Sequence, residues 1–205
     1  MYELLEIPGK GRGIVATKAI PKNTVILKEA PILLVEDVYD ALYQLYYSED
    51  GQYDDIQESL IEQFESLTPH CLDKYIITTE NIAKELETLP KYMKEFFHNY
   101  DSHKLRLYIA KFYRNAFRYA HFKTSSSIPS AVLIKGALFN HSCCNNCEFR
   151  ISESTNDYIF TTNRDIAPGE EVCITYIDTT LSTKKRTTHL EYQYGFICTC
   201  QKCFH

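Results

Sequence analysis

The apolar positions of this chain change their period twice. Over residues 10–36, "KGRGIVATKAIPKNTVILKEAPILLVE", they alternate in short bursts, Ile14 with Ala16 and then Val25 with Leu27. Pro21 and Pro31 interrupt the bursts. Proline cannot donate to a sheet ladder, so the pattern predicts short strands that break at these residues. From residue 37 to 120 the spacing becomes i, i+3, i+4, i+7, in "DVYDALYQLYYSEDGQYDDIQESLIEQFESL" and "HKLRLYIAKFYRNAFRYA". That is the repeat of amphipathic helices. Asp37 and Asp54 stand where helix N-caps belong, and Pro69 and Pro90 punctuate the run. "KTSSSIPS" (123–130) has the composition of a loop. From Ala131 the alternation returns in "AVLIKG", "CEFRISE", "DYIFTTN" and, after the turn "APGE", "EEVCITYI". Residues 182–194 predict a closing helix capped by Ser182. Strands interrupted by a helical block predict an α+β fold class. The expected division is 1–36, a helical insertion at 37–110, a second strand-rich part at 111–196 and a tail at 197–205. No internal repeat or low-complexity tract interrupts it.

Length and composition narrow the classes. The 205 residues suit one domain, or one domain with a sizeable insertion. With 44% hydrophobic and 24% charged residues, the chain can bury a core without disulfides. A net charge of −5 argues against general, direct nucleic-acid binding and suits a basic partner such as a lysine-rich protein segment. No run of about 20 apolar residues is present to span a membrane, so no membrane partner is expected. "MYELLEIPGKGRG" lacks the basic segment and apolar run of a secretory signal. The expected location is intracellular, and "STKKR" is too slight to choose between nucleus and cytoplasm. In a reducing compartment the eight cysteines read as metal ligands and buried thiols rather than disulfides.

The cysteines are not scattered. "CTCQKC" places Cys198, Cys200 and Cys203 as C-x-C-x2-C, three thiolates within reach of one tetrahedral metal, zinc first among them. A fourth ligand is wanting locally. His205 could supply it, or a distant thiol from "FNHSCCNNC", which holds Cys143, Cys144 and Cys147. In the same stretch "NHSC" offers Asn140, His141 and Ser142. Taken alone, this fits a turn, a metal-ligating histidine or a catalytic Ser-His pair, each weakly specific, and a His next to a Ser is usually a local hydrogen-bonding arrangement. "GKGRG" places glycines at 9, 11 and 13, where backbone can approach a ligand closely, but it is neither a dinucleotide fingerprint nor a P-loop.

Taken in order, G-x-G near the start, N-H-S-C late, then G-E-E with Tyr176 beyond it, then Y-x-F-x-C-x-C-x2-C carry more than any one motif. This set resembles the SET-domain lysine methyltransferases, and within them the SET-and-MYND-like (SMYD) branch, in "NHSCCNNC", "ITYID" and "HLEYQYGFICTCQKC". The resemblance covers residues 9–36 and about 112–203. It implies a SET fold of short β-sheets with a knot-like C-terminal threading and a zinc site following the SET region. It also implies S-adenosylmethionine as cofactor, S-adenosylhomocysteine as product, and transfer of a methyl group to a lysine ε-amine of a protein, a histone or another. By the same resemblance Lys10, Gly11, Arg12 and Gly13 form the first cofactor loop. Asn115, Asn140 and His141 hold the cofactor, and Phe196 packs on its adenine. Tyr176 is the catalytic tyrosine and also borders the cofactor, while Tyr194 lines the lysine channel. Cys143, Cys198, Cys200 and Cys203 bind the zinc. A monomer is expected. The alternative is a non-catalytic SET-like module that binds cofactor or a partner.

The chain departs from the family in three places. Asn145 replaces the usual proline, which should loosen that turn without abolishing activity. The MYND finger is expected to be missing, since 37–110 contains only Cys71. The helical repeat domain that follows the zinc tail in that branch is expected to be missing too. Both remove surfaces that choose substrates.

Overall fold

The computed structural model describes residues 1–72, 79–119 and 129–204. It divides into two compact units, Met1–Pro31 with Lys135–His205, and Ile32–Ile134.

The first unit is built on two small sheets. Strands β1 (Tyr2–Ile7), β2 (Gly11–Ala16), β10 (Glu171–Ile174) and β7 (Asn140–His141) form one, in the order β1-β2-β10-β7. β1 and β2 are a hairpin that turns through Gly9 and Gly11, whose φ values of +77° and +72° only glycine adopts freely. β10 runs antiparallel to β2 and parallel to β7. It therefore lies between the N-terminal hairpin and the Asn140–His141 pair. The second sheet is β3 (Val25–Glu29), β9 (Tyr158–Thr162) and β8 (Cys147–Ile151), all antiparallel. Phe139 and Phe160 stack at 4.7 Å in the core of this unit, both fully buried. Helix α6 (Thr183–Tyr194) closes it. Ser182 accepts from the Lys185 N–H at its start, and Gly195 at φ +77° ends it.

The second unit holds helices α1 (Val38–Tyr46), α2 (Asp55–Glu65), α3 (Thr79–Leu86), α4 (Lys91–Phe97) and α5 (Ser102–Asn115). They accompany a three-stranded antiparallel sheet of β4 (Leu33–Val35), β6 (Ser130–Val132) and β5 (Ala116–Arg118). Asp37 and Asp54 cap α1 and α2 by accepting N–H bonds from Tyr39 and Asp40, and from Gln57. Leu42, Leu45, Phe64, Ile109 and Phe112 fill its core. Among the described residues no helix is long and apolar enough to cross a membrane.

Three details differ from the sequence pattern. β1 carries no alternation because it is an edge strand exposed on both faces. In β3 a register shift between Val25 and Leu27 turns Ile26 inward and leaves Val25 52% exposed. The helical periodicity of 103–120 ends at Asn115, after which 116–118 pair with β6. Most of the 123–130 loop lies outside the described residues.

Candidate active site and metal centre

The parallel bridge between β7 and β10 sets Asn140 beside Cys173 and His141 beside Ile174. From there the two side chains diverge. Asn140 donates its amide to the Arg12 carbonyl at 3.0 Å and to one Glu171 carboxylate oxygen at 2.8 Å. Lys10 donates to the other oxygen of Glu171. Burial alone would lower the Lys10 pKa, but the Glu171 hydrogen bond and charge outweigh it and raise it. The loop Lys10, Gly11, Arg12 and Gly13 is thus tied to Asn140 through backbone and carboxylate. A Cβ at Gly13 would lie 2.3 Å from Ile7 Cδ1 and 2.6 Å from Asn140 Nδ2. Gly13→Ala should therefore push Asn140 aside and cost about 1–3 kcal/mol. Denaturant unfolding checks this, and an unchanged midpoint would contradict it.

His141 is buried, and both ring nitrogens are engaged. Nδ1 accepts the Tyr176 backbone N–H at 3.0 Å, so the proton of the neutral ring sits on Nε2 and points to Cys143 Sγ at 3.2 Å. Burial first, then the charges of Lys10 and Arg186, bring its pKa down to about 4, so the ring is neutral near pH 7. Tyr176 donates its hydroxyl to the Phe139 carbonyl at 2.6 Å. Its ring lies 4.9 Å from Tyr194 and 6.4 Å from Phe196, and Phe196 lies 6.0 Å from His141. Burial, then the neighbouring Tyr194, raises the Tyr176 phenol above its ordinary value, and burial takes Tyr194 up to about 12. Both phenols are thus protonated donors near neutrality, unsuited to act as bases.

On the other side of His141 four thiols converge. The sulfurs of Cys143, Cys198, Cys200 and Cys203 all lie within 4.8 Å of one another, and Cys143 and Cys203 are 3.5 Å apart. A tetrahedral site with Zn–S of ~2.3 Å needs sulfurs about 3.8 Å apart. None of the four is in a disulfide. The cluster therefore suits a tetrathiolate metal site. Burial pushes the Cys143 thiol up to about 12. Burial also acts to raise Cys200, but hydrogen bonds from Cys198 and from backbone outweigh it and bring it to about 6. A metal binds thiolates, so its binding must expel protons from this cluster. His205 lies outside the described residues.

The motifs assign no role to four supporting residues, three of which lie within them. Asn146 is buried and fully engaged. It donates to Glu170 (3.0 Å) and to the Glu171 carbonyl (2.8 Å), and accepts from the Cys173 N–H (2.8 Å). At the start of β10 the adjacent carboxylates of "GEE" serve different partners, Glu170 bonding Asn146 and Glu171 bonding Asn140. Arg186, buried in α6, donates to the carbonyls of Leu181 (2.6 Å) and Lys202 (2.9 Å) and to Cys203 Sγ (3.5 Å). Its Nε has no hydrogen-bond partner among the described residues. The signal for Asn146 was available, two Asn beside a thiol cluster; a lone helical Arg gives none.

The remaining candidates fall elsewhere. Asn145 donates to the Cys147 carbonyl at 2.9 Å, so a side-chain bond braces the turn that lacks its proline. Cys147 is buried in β8 and Cys144 is exposed. Asn115 belongs to the helical unit, at the end of α5, where its amide donates to the carbonyls of Thr68 (2.6 Å) and Lys111 (2.7 Å).

The SET domain family model matches residues 11–177. A protein of Acanthamoeba polyphaga mimivirus named for its SET domain is 36% identical over 205 residues, covering 96% of this chain and 75% of that protein. The histone-lysine N-methyltransferase Set5 of Schizosaccharomyces pombe is 25% identical, covering 99% of this chain and 50% of its own length. The N-lysine methyltransferase SMYD2 of Homo sapiens is 37% identical over 78 residues, 38% of this chain and 18% of its own. The chain thus spans three quarters of the viral relative and half or less of the other two. The SET domain of LSMT, solved with lysine and AdoHcy, has the same fold, with a TM-score of 0.51 over 96% of this chain and 52% of that one at 18% identity. A family match across more than half the chain, on a sheet that brings N-H-S-C against "EEVCITY", establishes that the chain belongs to the SET-domain family.

Proposed function

We infer that this chain is an S-adenosylmethionine-dependent protein-lysine methyltransferase of the SMYD-like branch. One observation carries the reading. His141 joins the Tyr176 backbone to Cys143 by hydrogen bonds, and Tyr176, Tyr194 and Phe196 pack against the same cluster that holds the four thiols. The relatives named as lysine methyltransferases support the activity. When bound, S-adenosylmethionine supplies an electrophilic methyl on a sulfonium. The chain's residues must orient the partners and keep the amine neutral. A free lysine has a pKa near ~10.4, so its neutral form costs roughly 4–5 kcal/mol near pH 7. A desolvated aromatic lining lowers that cost, because burial disfavours the ammonium. Tyr194 and Phe196 provide that lining. The Tyr176 hydroxyl and the Phe139 carbonyl fix the polar edge that aligns amine and methyl. Asn140, His141 and the loop Lys10–Gly13 hold the cofactor. The substrate is a lysine-bearing protein, a histone being one candidate. Calorimetric titration with S-adenosylmethionine tests the cofactor half of this reading. One-to-one binding is expected, and none would refute it.

Zinc is the metal the thiol set suits, held by Cys143, Cys198, Cys200 and Cys203, and ordering the tail that carries Phe196. Four thiolates around Zn2+ leave an excess of negative charge in a buried place. Among the described residues no carboxylate pairs with Arg186, so its guanidinium is placed to balance that excess. Arg186→Met should speed zinc release to a chromophoric chelator about tenfold or more, with Arg186→Lys in between. Release at the parent rate in both would remove Arg186 from the metal site.

A further inference from the structure

The helical unit carries a second, unexplained chemistry. Residues 37–110 hold fifteen Asp and Glu against six Lys and Arg, while the rest of the chain holds twelve against sixteen. The same stretch is rich in tyrosine, and among the described residues two tyrosine pairs are stacked within it. Tyr46 lies parallel to Tyr108, with centroids 5.1 Å apart at 6°. The Lys104 ammonium sits over this pair, 5.9 Å and 5.2 Å from the two centroids. Glu65 accepts from both phenols. This pair therefore already binds a lysine, by cation–π attraction beside a carboxylate.

A second stacked pair lies on α1 and is more open to solvent. Tyr43 and Tyr47, one turn apart on α1 and its C-cap, stack at 4.6 Å and 16°. Tyr92 and Phe96 of α4 meet Tyr43 edge-on at 5.3 Å and 5.2 Å. Tyr47 is 42% exposed and Tyr92 is 52% exposed. Among the described residues no lysine or arginine sits over this pair. A cluster of exposed aromatic rings on a stretch that is acidic as a whole, with Lys91 of α4 tied to Glu95 at 3.7 Å, suits a cation that also brings apolar length, and a lysine side chain has both.

We propose that Tyr43, Tyr47 and Tyr92 form a docking seat for a lysine side chain on a basic protein segment. This rests on the reading that the substrate is a lysine-bearing protein, whose second lysine the seat would hold. The Tyr46–Tyr108 pair shows a lysine ammonium held against stacked tyrosines in the same unit, and the acidic block supplies the charge complementarity. The seat would favour substrates with clustered lysines over those with a single one.

A fluorescent lysine-rich peptide, titrated by anisotropy without cofactor, tests it. The full chain should bind the peptide, more weakly as salt rises, and its lysine-acetylated form at least fivefold more weakly. The double variant Tyr47→Leu, Tyr92→Leu keeps apolar area and loses the ring faces. It should bind about five- to tenfold more weakly, and should raise the KM for a lysine-rich substrate by a similar factor with kcat unchanged. Peptide affinity equal to that of the parent chain would overturn the seat, whatever the methyl-transfer result. So would a change of oligomeric state in place of a change in peptide affinity, since the face would then join two copies of the chain. Weakened binding in the variant without methyl transfer by the parent chain would uphold the seat and refute the enzyme reading instead.

Discussion

Replacing Tyr176 by Phe should lower turnover about 10²–10³-fold and leave S-adenosylmethionine affinity within about twofold. The phenylalanine keeps the ring that packs against Tyr194 and Phe196, and the backbone N–H that holds His141 Nδ1 is untouched. Only the hydroxyl that donates to the Phe139 carbonyl is lost. A group that matters in the transition state and not in the ground state lowers kcat without loosening the bound cofactor. Single-turnover methyl transfer beside calorimetric affinity separates the two. Unchanged turnover would take the tyrosine out of the mechanism. An equal fall in affinity would make it a binding residue only.

Cys143→Ser should have the largest effect on the folded chain. Apparent free energies of structural zinc sites run to about 10–16 kcal/mol, and this variant removes one of four thiolates and the sulfur to which His141 donates. Zinc content should fall well below one per chain. The tail after Gly195 should become sensitive to limited proteolysis. Cofactor affinity should fall as well, because Phe196 is placed by the tail and His141 by its bond to the thiol. Stoichiometric zinc in this variant, with normal cofactor affinity, would show that the ligand set is wrong.

Local signals told the sequence reading most where the cause is local. Asp37, Asp54 and Ser182 cap helices because a short polar side chain can reach the free N–H groups of the first turn, and that depends on nothing distant. The C-x-C-x2-C spacing likewise states its own chemistry, whereas the convergence of Cys143 on it depends on 140–141 crossing to β10 and on α6 returning the tail. What stayed hidden depends on long-range pairing. The sequence "NAFRYA" continues a helical pattern, yet Ala116–Arg118 leave the helix because β6 offers them a ladder. Tyr2–Ile7 has no buried face, so its hairpin with β2 leaves no periodic trace. Arg186 on a polar helix reads as a solvated charge, and only the packing of the tail buries it. Asn146 reads as one more loop asparagine until its three bonds to 170–173 are seen to hold the N-H-S-C turn on β10.

The central claim is that the cluster around Tyr176 transfers a methyl group to a protein lysine. Its most direct test is incubation of the chain with methyl-labelled S-adenosylmethionine and a whole-cell protein extract, followed by acid hydrolysis and amino-acid separation, with Tyr176→Phe alongside. The account predicts label in methyl-lysine with the parent chain and at least a hundredfold less with the variant. Label that is absent from lysine while the cofactor binds, or that is equal in both chains, would contradict it.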